Sequence, residues 1–251
     1  MKIWVLSDLH LEGFPFPSAF APRRPEFDVL VSAGDVWQGN IPAGFQFLRH
    51  LAGDRPVIAT LGNHEHWRGE PSATIAAARR AAKANEILLL EGDTIDLQGV
   101  KFIGTTLWSD YSLAGAIDAT MPTGEDILFR DGMKERLFRV QDAQQLYRAS
   151  RQRLRRLIEQ ETSLPRVVVT HHAPHPACVA PANLGKWIAG NCASDLSEPT
   201  DSGRAAVWLH GHVHHSIDML RPGGTRILCN PAGALFSNSA FDESLVIEVA
   251  N

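Results

Sequence analysis

Cysteine is scarce and scattered in this sequence. The chain has three, Cys178, Cys192 and Cys229, and no two of them form a Cys-x-x-Cys pair. That argues against a disulfide framework and a structural zinc site, and buried thiols in a reducing compartment are expected instead. Long apolar runs are also missing. No stretch approaches the roughly 18–20 apolar residues needed to cross a bilayer, so no membrane partner is expected. The start shows no basic region followed by an apolar one, because Lys2–Ser7 already has the character of a strand. No signal peptide is therefore expected, and the expected location is cytoplasmic. An excess of positive charge is absent too: 24 Lys and Arg stand against 28 Asp and Glu, a net charge of −4. Proteins that grip a nucleic-acid backbone usually carry a basic face, so nucleic acid is not the favoured partner. There is no internal repeat, low-complexity tract or interdomain linker.

What is present suits one domain over 1–251. The 251 residues are 44% hydrophobic, and roughly 200–250 residues can share one α/β core. Short runs rich in Val, Ile and Leu predict buried strands at Ile3–Ser7, Val29–Ala33, Val57–Leu61, Ile87–Leu90, Lys101–Thr105, Val167–Thr170, Val207–His210, Arg226–Cys229 and Leu245–Val249. Helices are expected at Phe45–Leu51, at the Ala-rich Ser72–Ala84 with Pro71 at its start, and at Gln141–Glu161. The alternation of strands and helices indicates an α/β class. The segment 108–139 is the least regular, with Gly115, Pro122 and Gly124 among mixed charges. It is either a lid-like insertion or an ordinary surface excursion.

Five polar clusters stand where strands are expected to end: Ser7-Asp8-Leu9-His10, Gly34-Asp35, Gly62-Asn63-His64-Glu65, Thr170-His171-His172 and His210-Gly211-His212-Val213-His214. Open α/β sheets place ligands at the carboxyl ends of their strands. Residues two apart in an extended or turning segment can project to one side, so Asp8 with His10, and His212 with His214, can grip one ion together. Glycine lets the backbone turn tightly and approach a ligand closely. Each motif alone is common. Ten of the eleven histidines lie in or beside the clusters, and only His50 stands apart. Carboxylate, imidazole and amide-oxygen ligands suit Mn, Fe or Zn better than Ca or Mg. Two such ions about 3.5–4 Å apart clamp the attacking and leaving oxygens of a phosphoryl transfer.

Asp-x-His, Gly-Asp, Gly-Asn-His-Asp/Glu, a histidine after a strand and Gly-His-x-His, in that order from position 8 to 214, resemble the calcineurin-like metallophosphoesterases. The resemblance implies a four-layer α/β/β/α sandwich of two mixed sheets with a site on one rim. It implies that Asp8, His10 and His214 hold a first ion, that Asn63, His171 and His212 hold a second, and that Asp35 bridges both. His171 takes the ligand role over His172 because the family's ligand directly follows the strand. His64 would stand outside the ions and serve the leaving group. Some members place an aspartate shortly after Gly-Asp to orient that histidine. Here Val36-Trp37-Gln38 follows, with no acid, and the orienting residue is not identified by sequence.

The expected reaction is hydrolysis of a phosphomonoester or phosphodiester by a metal-bridging hydroxide, with Asp35, Asn63 and His64 as its central residues. His172, His66 and Arg68 are candidate contacts to substrate; His66 and Arg68, like Trp67 and Trp37, either line the cleft or serve packing and surface charge. The expected partner is a small-molecule or phosphoprotein phosphate ester. A nuclease of the same family, and a non-catalytic module keeping the fold, are the alternatives. The retained ligand set argues against the second.

Overall fold

The computed structural model describes residues 1–17, 20–131 and 134–250. Gly132 and Met133, inside the 108–139 segment, lie outside the described residues. The first half of the chain runs β1 (Lys2–Leu6), β2 (Val29–Ser32), α1 (Ile41–Ala52), β3 (Val57–Ala59), α2 (Pro71–Ala84), β4 (Ile87–Leu89), β5 (Asp93–Leu97) and β6 (Val100–Thr105). The second half runs β7 (Leu128–Asp131), β8 (Lys134–Leu137), α3 (Val140–Glu159), β9 (Arg166–Thr170), α4 (Trp187–Cys192), α5 (Ser197–Asp201), β10 (Val207–His210), β11 (Ile217–Leu220), β12 (Arg226–Cys229) and β13 (Val246–Glu248).

Local chemistry explains the main helices. In α2 five of the first eight residues are Ala or Pro, Pro71 stands at the first helical position, and the Glu70 carboxylate accepts the free Ala73 N–H at 2.9 Å. In α1 the helix begins four residues before the expected Phe45, since Pro42 in its first turn needs no N–H partner. In α3 the Asp142 carboxylate accepts from the Arg139 backbone at 2.9 Å and closes the start.

Two mixed sheets form. One has the order β13-β1-β2-β3-β4, all parallel except β13. The other has the order β11-β12-β10-β9-β6-β5, parallel at its centre and antiparallel at both edges. Alternation along each strand sorts side chains between layers. Ile3 and Val5 of β1 face inward and meet Val167 and Val169 of β9 and Val207 and Leu209 of β10 between the sheets. Trp4 and Leu6 face outward, against Phe45 and Leu48 of α1 and Ala78 and Ala82 of α2. On the far side Val168 and Trp208 meet Leu154, Leu157 and Ile158 of α3. The result is the four-layer α/β/β/α sandwich.

The register brings the site's strands to one rim. Leu6 pairs with Ser32, and Ser32 with Ala59, so β1, β2 and β3 end together. Leu209 pairs with Val169 in the facing sheet. The segment 108–139 buries Trp108, Tyr111, Ile127 and Phe138 against the outer face of the second sheet. It also touches the loop after β3: Arg68 N–H donates to Asp126 O at 2.6 Å, and Leu128 N–H to Gly69 O at 3.1 Å. Among the described residues, no helix is long and apolar enough to cross a membrane.

Candidate metal centre

Each candidate ligand stands one to four residues past the end of its strand, where the chain turns back along the rim. Five of the seven turn through the left-handed region: Asp8 at φ 51°, His10 at 46°, Asp35 at 53°, His212 at 68° and His214 at 47°. Such angles are uncommon outside glycine, cost of order 1–3 kcal/mol each, and persist where the surroundings hold them. The loops hold one another here. Asp8 N–H donates to Gly34 O and His10 N–H to Asp35 O, both at 3.0 Å, and Gly211 N–H donates to His171 O at 2.9 Å. Glycine is required at two of these turns. A Cβ on Gly62 would overlap the Asp35 carboxylate, and one on Gly211 would lie 2.6 Å from Asp8 Oδ2.

The ligand atoms converge in two groups, with Asp35 between them. In one, His10 Nε2 lies 3.0 Å from His214 Nε2, and His214 Nε2 lies 3.6 Å from Asp8 Oδ1. In the other, Asn63 Oδ1 lies 2.8 Å from His171 Nε2 and 2.9 Å from His212 Nδ1, which are themselves 3.2 Å apart. Asp35 Oδ2 stands between, 3.3 Å from His171 Nε2 and 3.7 Å from His10 Nε2. Its Oδ1 accepts the His64 backbone N–H at 2.9 Å.

These contacts fit cations. A metal ligand must be the neutral imidazole, and in a neutral His171 ring the proton sits on Nδ1, 2.8 Å from Ala33 O, so that Nε2 is an acceptor facing another acceptor, Asn63 Oδ1. Asp8 Oδ2 is buried with no hydrogen-bond partner. Acceptors crowded against acceptors, with an orphaned carboxylate oxygen among them, are what a site for positive charge requires. Where no cation is bound, protons on the rings relieve the same crowding. Burial alone would lower the pKa of His171, but Asp35 and Asp8 raise it to about 10. Burial is likewise outweighed at His10, where Glu12, Asp35 and Asp8 raise the value to about 9. Asp35, although burial opposes ionisation, is held well below the usual carboxylate range by His171, His64 and His10.

Several supporting residues had no role in the sequence reading. Glu65, 4% exposed, accepts four backbone N–H groups: Asp35 at 2.9 Å, Val36 at 2.7 Å, Trp37 at 3.2 Å and Gly62 at 2.6 Å. It ties the loop after β2 to the loop after β3. Glu65→Ala would leave those donors without an acceptor, at an expected cost of about 3 kcal/mol or more. In metal-free protein the melting temperature should fall by roughly 6–12 °C; an unchanged melting curve would show that the loops hold without it. Glu12 accepts from His10 Nδ1 at 2.8 Å and from Gln38 N–H at 2.9 Å. The sequence marked Glu65 only as part of a motif, and nothing in it separated Glu12 from surface charge.

His64 lies beside the ligands. Its ring meets that of His10 edge-on at 4.6 Å and stacks on Trp67 at 4.4 Å, 16° from parallel. Gln38 Oε1 is 3.4 Å from its Nδ1. His10, Asp35 and His64 also form a group whose donor atoms could hold an ion. The three expected substrate contacts fall differently. Arg68 is exposed, 3.5 Å from Asp126, and lines a cavity of about 320 Å³ with Gln38 and Trp67. His172 is buried and stacks behind His212 at 4.3 Å, its pKa pushed down to about 3 by burial and by His171. His66 is fully buried against Trp108, with neither ring nitrogen hydrogen-bonded. Of the two roles open to His66, substrate contact and packing, its buried place beside Trp108 is the packing one. Trp37 borders a cavity of about 690 Å³ together with Phe20 and Phe47.

The fold has known counterparts. An uncharacterized protein of Acanthamoeba polyphaga mimivirus is 23% identical over 275 residues, covering 97% of this chain and 95% of that protein. The phosphopantetheinyl hydrolase of Mycobacterium tuberculosis superposes with a TM-score of 0.68 at 18% identity, over 94% of this chain and 90% of that one. A dimetal phosphatase from Danio rerio superposes with a TM-score of 0.53 at 12% identity, over 93% of this chain and 88% of that one. The likeness to both solved structures is one of fold. The sequence model of the calcineurin-like phosphoesterases matches residues 1–216, a span that contains all five polar clusters. This chain belongs to the calcineurin-like phosphoesterase family.

Proposed function

We propose that the protein is a two-metal phosphoesterase that hydrolyses a phosphomonoester or phosphodiester of a small molecule or phosphoprotein. The observation that carries the reading is the convergence of acceptor on acceptor around Asp35, with Asp8 Oδ2 orphaned among them. Asp8, His10 and His214 would hold one ion, Asn63, His171 and His212 the other, and Asp35 would give one carboxylate to both. Bound there, Mn, Fe or Zn ions would supply hydroxide near neutral pH and neutralise charge on the phosphoryl oxygens.

The chain's own groups do the rest. The His64 backbone N–H fixes the Asp35 carboxylate. Asn63 would give its oxygen, which faces His171 and His212, to the second ion, and it keeps its amide hydrogens for neighbours. His64 Nδ1–H donates a hydrogen bond to Gln38 Oε1 at 3.4 Å, which leaves Nε2 to carry the proton used in catalysis. From there it passes to the leaving oxygen.

The test is a screen of purified protein, stripped of metal and reloaded with Mn, Fe or Zn. Its panel spans phosphomonoesters, including 4′-phosphopantetheine, as well as phosphodiesters and nucleotides. The fold likeness to a phosphopantetheinyl hydrolase and to a dimetal phosphatase motivates those choices. Hydrolysis of at least one class is expected in reloaded protein and none in the chelated control. Full activity in exhaustively metal-free protein would rule out the two-metal reading.

A further inference from the structure

Asn63 differs from the other candidate ligands in one respect. Its side-chain amide presents an oxygen or, rotated by half a turn, an NH₂ group, and only the oxygen can bind a cation. Something must therefore choose the rotamer. In this structure the amide NH₂ donates to Glu125 Oε2 at 3.0 Å, while the amide oxygen faces His171 and His212. The same Glu125 oxygen accepts the Trp67 indole N–H at 2.7 Å, and the Trp67 ring is the one stacked on His64. Glu125 belongs to the 108–139 segment, and the chain around it is held by backbone bonds: Thr123 N–H to Phe138 O at 3.0 Å, Arg68 N–H to Asp126 O and Leu128 N–H to Gly69 O.

We propose that Glu125 is a positioning residue of the metal centre, a carboxylate that holds the Asn63 amide with its oxygen toward the ion and Trp67 against His64. The proposal rests on the reading of Asn63 as a ligand. Rotating the amide would set its oxygen against the Glu125 carboxylate and its N–H groups toward the ion, and both contacts repel. A carboxylate that accepts from the NH₂ group also draws electron density onto the amide oxygen, and outer partners of this kind strengthen a ligand. One amide hydrogen is used this way, and the second stays free for a phosphoryl oxygen. The segment that the sequence left as lid or plain excursion thus reaches the centre through one side chain.

The experiment is titration of Mn²⁺ into metal-free protein by calorimetry, with elemental analysis of the loaded forms. Glu125→Ala should weaken one of the two ions by about 10–100-fold and leave the other unchanged. Metal-free Glu125→Ala should still fold and melt only a few degrees below wild type, since the backbone bonds of the segment do not involve this side chain and only the Asn63 and Trp67 N–H groups lose an acceptor. Glu125→Gln keeps the shape and removes the charge, and should fall between the two. Wild-type affinity for both ions in Glu125→Ala, or equal weakening of both, overturns the proposal. If Glu125→Ala does not fold, Glu125→Gln carries the test, and an unchanged affinity there overturns it. Asn63→Ala, run beside them, separates the two levels. If it keeps both ions, the ligand reading of Asn63 fails and takes the proposal with it. If it loses one ion while Glu125→Ala loses none, only the role of Glu125 fails.

Discussion

Asp35→Asn is expected to lose at least one bound metal ion and nearly all phosphoesterase activity. Asp35 stands between the two groups of ligand atoms, with Oδ2 3.3 Å from His171 Nε2 and 3.7 Å from His10 Nε2. The substitution keeps the shape and removes one negative charge. The other carboxylate among the ligands, Asp8, then stands alone against two multiply charged ions. The replacement also puts either an NH₂ donor or an oxygen toward the ions, and only one of these is a ligand. The loss should exceed the roughly 10–100-fold that follows removal of an outer partner, because a direct ligand is gone. Elemental analysis and turnover are to be measured together. Two tightly held ions with near-normal turnover would refute the bridging role. The backbone is not expected to collapse, since the Glu65 carboxylate that gathers the Asp35, Val36 and Trp37 N–H groups is untouched.

Much of the fold could be read in the sequence because buried strands announce themselves. All nine expected strands are present, within about two residues at each end. The strands not foreseen, β5, β7, β8 and β11, carry polar residues at alternate or adjacent positions, as in Asp93-Thr94-Ile95-Asp96-Leu97 and Ile217-Asp218-Met219-Leu220. They lie at sheet edges or in a two-stranded pair, where half the side chains meet water and the apolar signal is halved. The site divides in the same way. Donors with strong chemistry at strand ends were legible, whereas their supports depend on contacts between distant segments. Gln38 reaches His64 across 26 positions and Glu125 reaches Asn63 across 62. No spacing rule in a single sequence carries such a pairing. His66 shows the same limit: position beside the motif left cleft and packing both open, and the 3-10 turn at His64–His66 sets its ring in the core beside Trp108.

His64→Ala separates catalysis from metal binding. The ring lies against His10 and stacks on Trp67, yet its own backbone N–H already serves Asp35, and alanine keeps that bond. Metal content should therefore stay close to wild type. Esters with poor leaving groups, such as alkyl phosphates, need a proton on the departing oxygen, and general acid help of this kind is worth typically 10²–10⁴-fold. Nitrophenyl esters leave readily without a proton and should slow far less. The orienting partner bears on the size of the effect. A carboxylate beside an imidazole would both aim it and hold its charge, while the Gln38 amide at 3.4 Å can aim it but brings no charge. The slowing of alkyl esters is thus expected toward the lower end of that range, nearer 10²-fold. Gln38→Ala should reproduce part of it. The measurement pairs metal analysis with rates on both ester classes. Loss of an ion in His64→Ala would make His64 a ligand, as its grouping with His10 and Asp35 allows. Equal slowing of both ester classes would mean that it binds the phosphate instead of protonating the leaving group.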